Sequence, residues 1–162
     1  MNKPLPKRKN SLRLKGYQYN TPGYYHVVIV TENRFRLLGK LENSGVELSD
    51  FGKILYDFLT SFSEHNQNVE ITKFEIMPDH VHLLINLMEG ENFSDPPNLS
   101  DLVRKIKTIS IAMYRKQAQE NGWERLPTKF WQRGYYDHIL RSTEDASFTF
   151  DYIEFNPFRT EM

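Results

Sequence analysis

Residues 69–87, VEITKFEIMPDHVHLLINL, decide the fold of this chain. Val69–Ile76 and Val81–Leu87 are rich in β-branched and apolar residues, a composition that is typical of buried strands. Met77-Pro78-Asp79 leaves room only for a tight turn between them. Strands that are so closely connected pair as antiparallel neighbours. The stretch therefore predicts the middle of an antiparallel sheet.

Strand-type composition and helical spacing of apolar residues predict further elements on both sides of this strand pair. In chain order they are a strand at Tyr24–Thr31, a hairpin at Leu37–Leu48, a helix at Ser49–Glu64, a helix at Ser100–Asn121, a strand at Phe130–Leu140 and a helix at Thr143–Asn156. Pro157 is expected to help end the last helix, because proline has no N–H to donate. This α+β order predicts a ferredoxin-like (RRM-like) antiparallel sheet covered by helices. It leaves undecided which face of the first strand is open, that of Tyr25 or that of His26.

Composition limits the class of protein. At 162 residues, with 39% hydrophobic and 26% charged residues and a mean hydropathy of −0.62, the chain has the size and polarity of one soluble domain. No stretch approaches the roughly 18 apolar residues that span a bilayer, and MNKPLPKRKN lacks the apolar core of a secretory signal, so we expect a cytoplasmic protein. Cysteine is absent, which excludes disulfides, thiolate metal sites and a cysteine nucleophile.

Charge is sorted along the chain, although the formal net charge is zero. Residues 1–40 carry nine Lys and Arg residues and one acid, whereas residues 41–101 carry two basic and twelve acidic residues. Residues 1–22, with three prolines, are predicted to form a basic arm ahead of a single domain at residues 23–162. A basic arm is either a solvated tail or a surface for nucleic acid, whose phosphates attract Lys and Arg.

His80 and His82 are the first candidates for chemistry. Residues i and i+2 of a strand point to one face of the sheet, so both imidazoles project together. Such a pair can provide two metal ligands, and the alternative is a pair of histidines with a structural or exposed role. The apolar residues on either side place the pair inside the sheet rather than on a tail.

Tyr152 and Asn156 form a second candidate set. Four residues apart on a helix, they share a face. A tyrosine can attack phosphorus where a metal polarises the phosphate, and the amide oxygen of Asn156 could be a third metal ligand. Alternatively, Tyr152 is a packing residue and Asn156 caps the end of the helix.

Three ordered motifs carry a resemblance to a known family, and they are Ile76–Leu84 (IMPDHVHLL), Phe130–Ile139 (FWQRGYYDHI) and Asp151–Pro157 (DYIEFNP). Together they resemble the single-tyrosine HUH transposases, the IS200-like family, and most of all its REP-associated tyrosine transposase branch. Arg13–Tyr17 and Pro22–Tyr25 are also similar to that branch, so the resemblance covers about residues 11–158.

The resemblance implies a metal-dependent enzyme that cleaves single-stranded DNA and rejoins it at hairpin or repeat elements. By resemblance, His80 and His82 on a central strand bind Mg²⁺ or Mn²⁺, and Asn156 stands where relatives outside this branch often have glutamine. Tyr152 on the C-terminal helix would be the nucleophile and would form a covalent 5′-phosphotyrosine. The expected partner is single-stranded or hairpin DNA and not a membrane, and the family allows a monomer or a homodimer.

DNA contacts are predicted from charge and from the resemblance, at Arg8, Lys9, Arg13, Lys15, Tyr17, Lys107 and Arg133. The cations would bind phosphates, and an unpaired base would stack on the tyrosine ring. For Lys107 the alternative is a solvated helix face. The other histidines are expected to be structural (His26 and His138) or to lie on the surface (His65).

Two other functions stay open at this point. A non-catalytic nucleic-acid-binding module on the same sheet would not require both candidate sets together. A hydrolytic His-x-His phosphodiesterase would use water as its nucleophile, and Tyr152 would be dispensable. Replacing Tyr152 by phenylalanine separates this last function from the tyrosine mechanism.

Overall fold

A four-stranded antiparallel sheet is the centre of the structure, a computed structural model that describes residues 18–91 and 96–159 and the side chains as far as Phe155. In chain order the strands and α-helices of these residues are β1 (Gly23–Val30), β2 (Gly39–Glu42), β3 (Gly45–Leu48), α1 (Asp50–Thr60), α2 (Phe62–His65), β4 (Val69–Met77), β5 (His80–Leu87), α3 (Leu99–Asn121), β6 (Tyr136–Leu140) and α4 (Thr143–Arg159). β2 and β3 pair with each other in a separate two-stranded ribbon. Within the described ranges, no helix has the length and apolar character needed to cross a membrane.

The lateral order of the main strands is β4-β5-β1-β6, and each neighbouring pair is antiparallel. Combined with the chain order of strand, helix, strand, strand, helix and strand, this is the ferredoxin-like arrangement. The predicted fold class is therefore confirmed. β5, which carries the candidate histidine pair, is an interior strand with β4 on one side and β1 on the other.

Different helices cover the two faces of the sheet. Tyr25 and Ile29 of β1 lie in the larger core, together with Leu55 of α1 and Ile106 of α3. The opposite face packs on α4 through a smaller buried cluster of Leu84, Leu140, Ala146 and Ile153. Because side chains alternate along a strand, His26 faces α4. Neither face of the first strand is therefore open: that of Tyr25 lies in the larger core, and that of His26 lies under α4.

Helix α1 begins where a serine cap and a glycine meet. Ser49 Oγ accepts a hydrogen bond from the Gly52 N–H at 3.1 Å and donates one to the Leu37 carbonyl at 2.7 Å. A side chain at Gly52 would collide with the carbonyl oxygen of Leu38. Only glycine therefore lets the chain before β2 lie against the first turn of α1.

Two predicted elements have wrong boundaries. The helix predicted at Ser49–Glu64 is interrupted at Ser61, where the hydroxyl bonds a carbonyl of the preceding turn and ψ is 6°. The strand predicted from Phe130 begins only at Tyr136. Gly134 has a φ of +79°, a left-handed conformation that interrupts an extended run.

The ends of the described chain also differ from the predictions. α4 continues through Pro157 to Arg159, because the loss of one N–H in a last turn leaves the earlier helical hydrogen bonds intact. Tyr19, predicted to lie in the basic arm, belongs to the larger core with Tyr25. Its carbonyl accepts a hydrogen bond from the Leu99 N–H at 3.1 Å. Tyr19 therefore packs on the folded unit, and the basic arm at residues 1–22 otherwise stays a prediction.

Candidate metal and tyrosine site

His80 and His82 lie together on the face of β5 that α4 covers. Their ring centroids are 4.9 Å apart and their planes are nearly perpendicular, at 79°. His82 is only 5% exposed, and His80 is partly buried. The shared face that the spacing predicts is confirmed. It faces α4, the helix that carries Tyr152.

Tyr152 reaches this pair from α4. Its ring centroid lies 5.9 Å from that of His82, with the edge of one ring toward the face of the other. Ile153, the next residue, is fully buried against the sheet, which sets the rotation of α4. Asn156 lies one turn further along the helix, and its side chain is outside the described part of the chain. The fold thus brings Tyr152 and His82 together although they are distant in sequence.

His26 is part of the same cluster, which sequence analysis missed. Its Nε2 lies 3.0 Å from His82 Nδ1, and the two rings stack with centroids 5.2 Å apart. Tyr152 contacts it edge-on at 6.3 Å between centroids. The contact depends on the register in which Val28 of β1 lies opposite His82. A single sequence contains no signal for that register, so His26 could not be separated from a purely structural histidine.

Two carboxylates flank the histidine pair. Asp79 Oδ1 lies 2.6 Å from His80 Nδ1, and Asp79 Oδ2 accepts a hydrogen bond from Arg34 Nε at 2.9 Å. Burial alone would raise the pKa of Asp79, but the hydrogen bonds and charges of His80 and Arg34 lower it to about 2. Glu75 lies opposite His82 on β4, and burial raises its pKa to about 6, against the opposing charge of Lys73. Asp79 is therefore the carboxylate that is firmly ionised at neutral pH.

Burial keeps two of the imidazoles neutral. It lowers the pKa of His82 well below 6.5, and the charges of His80 and His26 lower it further. Burial, with a smaller effect of nearby His138, lowers the pKa of His26 to about 4. At neutral pH each of these rings has one N–H and one nitrogen lone pair, the form in which histidine binds a metal.

The donor set suits an open divalent-metal site. Within the described residues, no cluster of three or more His, Cys, Asp or Glu side chains is placed to hold a metal ion. The His80 and His82 rings would supply two nitrogens, so further ligands would have to be oxygens from an amide, water or a phosphate. That mixture fits a cation with about six ligands, such as Mn²⁺ or Mg²⁺, better than a closed structural zinc site.

The residues predicted to contact DNA are only partly described. Five of them lie outside the described residues, namely Arg8, Lys9, Arg13, Lys15 and Tyr17. Arg133 is exposed in the segment that leads into β6. Lys107 of α3 donates hydrogen bonds from Nζ to the carbonyls of Gln132 and Gly134, at 2.9 and 2.6 Å. Lys107 therefore braces the segment that carries Arg133, and its contact with DNA stays a prediction.

Solved transposase structures share this fold. The structure of a REP-associated tyrosine transposase bound to a REP hairpin matches over 93% of this chain and 73% of that chain, with a TM-score of 0.60 and 20% identity. The crystal structure of a Deinococcus radiodurans protein assigned as a transposase matches over 88% of this chain and 95% of that chain, with a TM-score of 0.53 and 22% identity. These likenesses support the fold.

Sequence comparisons establish the family. The family described as transposase IS200 like matches residues 20–156, which include the β5 histidines and Tyr152. An uncharacterized Haemophilus influenzae protein is 30% identical over 163 residues, which cover 95% of this chain and 91% of that protein. A second H. influenzae protein, assigned as a REP-associated tyrosine transposase, is 30% identical over 112 residues, 64% of this chain and 61% of that protein. The resemblance seen in the three motifs is thereby confirmed, and the chain belongs to the IS200-like transposase family.

Proposed function

We propose that this chain is a metal-dependent single-stranded DNA endonuclease and strand transferase that works through a covalent 5′-phosphotyrosine. The observation that carries the proposal is the position of Tyr152 beside the histidine pair, with 5.9 Å between the ring centroids of Tyr152 and His82. A protein that only binds nucleic acid has no need of a phenol next to two imidazoles that share one face. Membership of the transposase family supports the same chemistry.

In the proposed reaction Tyr152 breaks one DNA strand. His80 and His82 would hold Mg²⁺ or Mn²⁺, with the amide oxygen of Asn156 as a third ligand. Bound there, the cation supplies positive charge that polarises the scissile phosphate. The Tyr152 oxygen attacks phosphorus in line and loses its proton, and the bond from phosphorus to the 3′ oxygen breaks. One DNA end leaves as a 3′-hydroxyl, and the other remains attached to Tyr152 through its 5′-phosphate.

The reverse of this step joins strands. The 3′-hydroxyl of a different strand attacks the phosphotyrosine, and Tyr152 leaves with a proton. The energy of the broken phosphodiester is retained in the phosphotyrosine, so the reaction needs no ATP. The chain accordingly has no G-x-x-x-x-G-K-[ST] sequence for binding nucleotide phosphates.

We propose hairpin-forming single-stranded DNA as the substrate class. One structural relative was solved with a REP hairpin, and the first 40 residues of this chain are strongly basic. The proposed contacts are the seven predicted ones at Arg8, Lys9, Arg13, Lys15, Tyr17, Lys107 and Arg133. Either a monomer or a homodimer could present them, and oligomeric state stays a prediction.

The test is a denaturing-gel assay with purified protein, labelled hairpins from the DNA that flanks its gene, and Mn²⁺ or Mg²⁺. We expect a covalent protein–DNA band that EDTA abolishes and that is absent in Tyr152→Phe and His80→Ala. Tyr56→Phe is the matched control for the lost phenol, because Tyr56 is exposed on α1, on the other side of the sheet. His65→Ala is the control for the lost imidazole, since His65 is exposed at the end of α2.

Other outcomes point to the alternative functions. Cleavage that persists in Tyr152→Phe without a covalent band would indicate a hydrolytic phosphodiesterase. Hairpin binding without cleavage under either metal would indicate a non-catalytic binding module. Loss of the band in the two control variants as well would show that the assay reports folding rather than chemistry.

A further inference from the structure

Both candidate metal ligands have their Nδ1 atom engaged by a neighbouring side chain. Asp79 Oδ1 lies 2.6 Å from His80 Nδ1, and His26 Nε2 lies 3.0 Å from His82 Nδ1. A neutral imidazole has one N–H and one lone pair, so a hydrogen bond at one nitrogen decides what the other nitrogen can do. Each ligand therefore has a neighbour that can select its tautomer.

For His80 the carboxylate makes the selection. An ionised Asp79 only accepts hydrogen bonds, so His80 Nδ1 is the donor, and a neutral His80 ring then has its lone pair on Nε2. Arg34 holds the second Asp79 oxygen at 2.9 Å and so anchors this carboxylate. Arg34 and Asn33 both have left-handed backbone, with φ of +55° and +53°, a conformation that is unfavourable for residues other than glycine. In this turn the guanidinium of Arg34 lies against Asp79.

For His82 the neighbour is a second imidazole, which can either donate or accept this hydrogen bond. If His26 Nε2 donated the hydrogen bond, the proton of His82 would lie on its Nε2 and would block metal binding there. If His82 Nδ1 donates, its Nε2 retains the lone pair, and the proton of His26 lies on Nδ1. The two rings are close to parallel, at 22°, and they are carried by paired strands, so the contact is built into the sheet.

We propose that His26 and Asp79 are positioning residues, which hold His82 and His80 in the tautomer that presents Nε2 of both rings to the divalent metal. The inference rests on the proposed function, because it takes His80 and His82 as metal ligands. A group that hydrogen-bonds the second nitrogen of a metal-binding histidine fixes the orientation of the ring and raises its basicity. His26 acts from a different strand, so the His-x-His spacing does not include it.

The tautomers can be measured without metal. Two-dimensional NMR of the wild-type chain with ¹⁵N-labelled histidine, near neutral pH and in EDTA, distinguishes a protonated ring nitrogen from one with a lone pair. The five histidines are assigned with single-residue variants. We expect protons on Nδ1 and lone pairs on Nε2 for His80 and His82, and a proton on Nδ1 for His26. In the neutral ring, a proton on Nε2 of His82 or of His80, with the lone pair on Nδ1, overturns the proposal for the neighbour concerned.

Metal affinity tests the same roles independently of catalysis. Binding is followed by the loss of the electron paramagnetic resonance signal of unbound Mn²⁺. We expect His26→Phe and Asp79→Leu each to weaken Mn²⁺ binding by about 10- to 100-fold. His26→Gln and Asp79→Asn retain an oxygen that accepts the hydrogen bond, so they should keep most of the affinity. His138→Phe is the matched control, because His138 is the residue of the neighbouring strand β6 that pairs with His26.

The outcomes separate this inference from the proposed function. Wild-type affinity in both His26→Phe and Asp79→Leu contradicts the positioning role and leaves the proposed function intact. An equal loss in His26→Phe and His26→Gln contradicts it too, because the packing of the ring would then matter and the hydrogen bond would not. A wild-type chain that binds no Mn²⁺ and forms no covalent adduct contradicts the proposed function, and this inference with it.

Discussion

Glu75 couples the stability of the fold to pH at the scale of one residue. Its pKa rises from 4.5 to about 6 because the carboxyl group is half-buried on β4, and the charge of Lys73 opposes this only in part. The folded chain therefore binds this proton more tightly than the unfolded chain. The tighter proton binding by Glu75 contributes fully to the stability of the fold below pH 4.5. This contribution is lost as pH rises through about 6, because Glu75 then ionises and its charged carboxylate stays partly desolvated.

We expect Glu75→Gln to remove this pH dependence. The difference in unfolding free energy between the variant and the wild type should shift in favour of the variant by about 1 kcal/mol when pH rises from about 4 to about 8. This figure allows for solvent screening of a half-buried group. The measurement is urea denaturation in EDTA at several pH values. Glu70→Gln is the control, because Glu70 is exposed on the same strand. A difference between Glu75→Gln and wild type that does not change with pH would contradict the prediction.

At the scale of elements, Lys107 connects α3 with the segment that precedes β6. Its amino group donates to the Gln132 and Gly134 carbonyls, on either side of Arg133. Gly134 is left-handed, and the extended run starts only after it. The lysine therefore helps to hold the backbone of Gln132 and Gly134, which lie outside the strands.

Replacing Lys107 separates a structural role from contact with DNA. Lys107→Met keeps the apolar stem but removes two hydrogen bonds from a charged donor, so we expect a loss of about 2 kcal/mol of unfolding free energy. Lys116→Met, at an exposed position of the same helix, should change stability by less than about 0.5 kcal/mol. Both are measured by urea denaturation. Unchanged stability together with weaker hairpin binding would instead identify Lys107 as a DNA contact.

At the scale of the whole molecule, opposite charges are concentrated in different parts of the chain. The first 40 residues have nine basic residues and one acid, and the middle of the chain has the reverse bias. DNA would therefore be attracted to one part of the molecule and repelled by another. The net charge of zero conceals this separation.

Salt dependence tests the contribution of the basic N-terminal residues. Binding that neutralises phosphates weakens as salt is added. A plot of the logarithm of the binding constant against the logarithm of the salt concentration has a slope of about −0.7 per phosphate of single-stranded DNA. Four contacts from Arg8, Lys9, Arg13 and Lys15 would account for a slope of about −3. We expect replacement of these four residues by glutamine to reduce the slope by about that amount in a fluorescence-anisotropy titration. An unchanged slope would show that they form a solvated tail.

Much of the fold follows from local patterns. Alternation and β-branched residues predict β1, β4 and β5, and period-two geometry places His80 and His82 on one face whatever their surroundings. The predicted boundaries of two elements were wrong, in each case because of the conformation of a single residue. The Ser61 hydroxyl interrupts a helix that the apolar spacing would continue, and Gly134 delays the start of β6.

Local patterns in the chain are enough to predict the kinds of elements, the shared face of the histidine pair and, through three ordered motifs, the family. The folded structure was needed to show that His26 stacks on His82 and that α4 brings Tyr152 to the same face. It also decided that Arg34 anchors Asp79 and that Lys107 binds two carbonyls. These contacts depend on strand order, register and the side on which each helix packs. Such features arise from long-range burial of apolar surface, which local spacing along one chain does not specify.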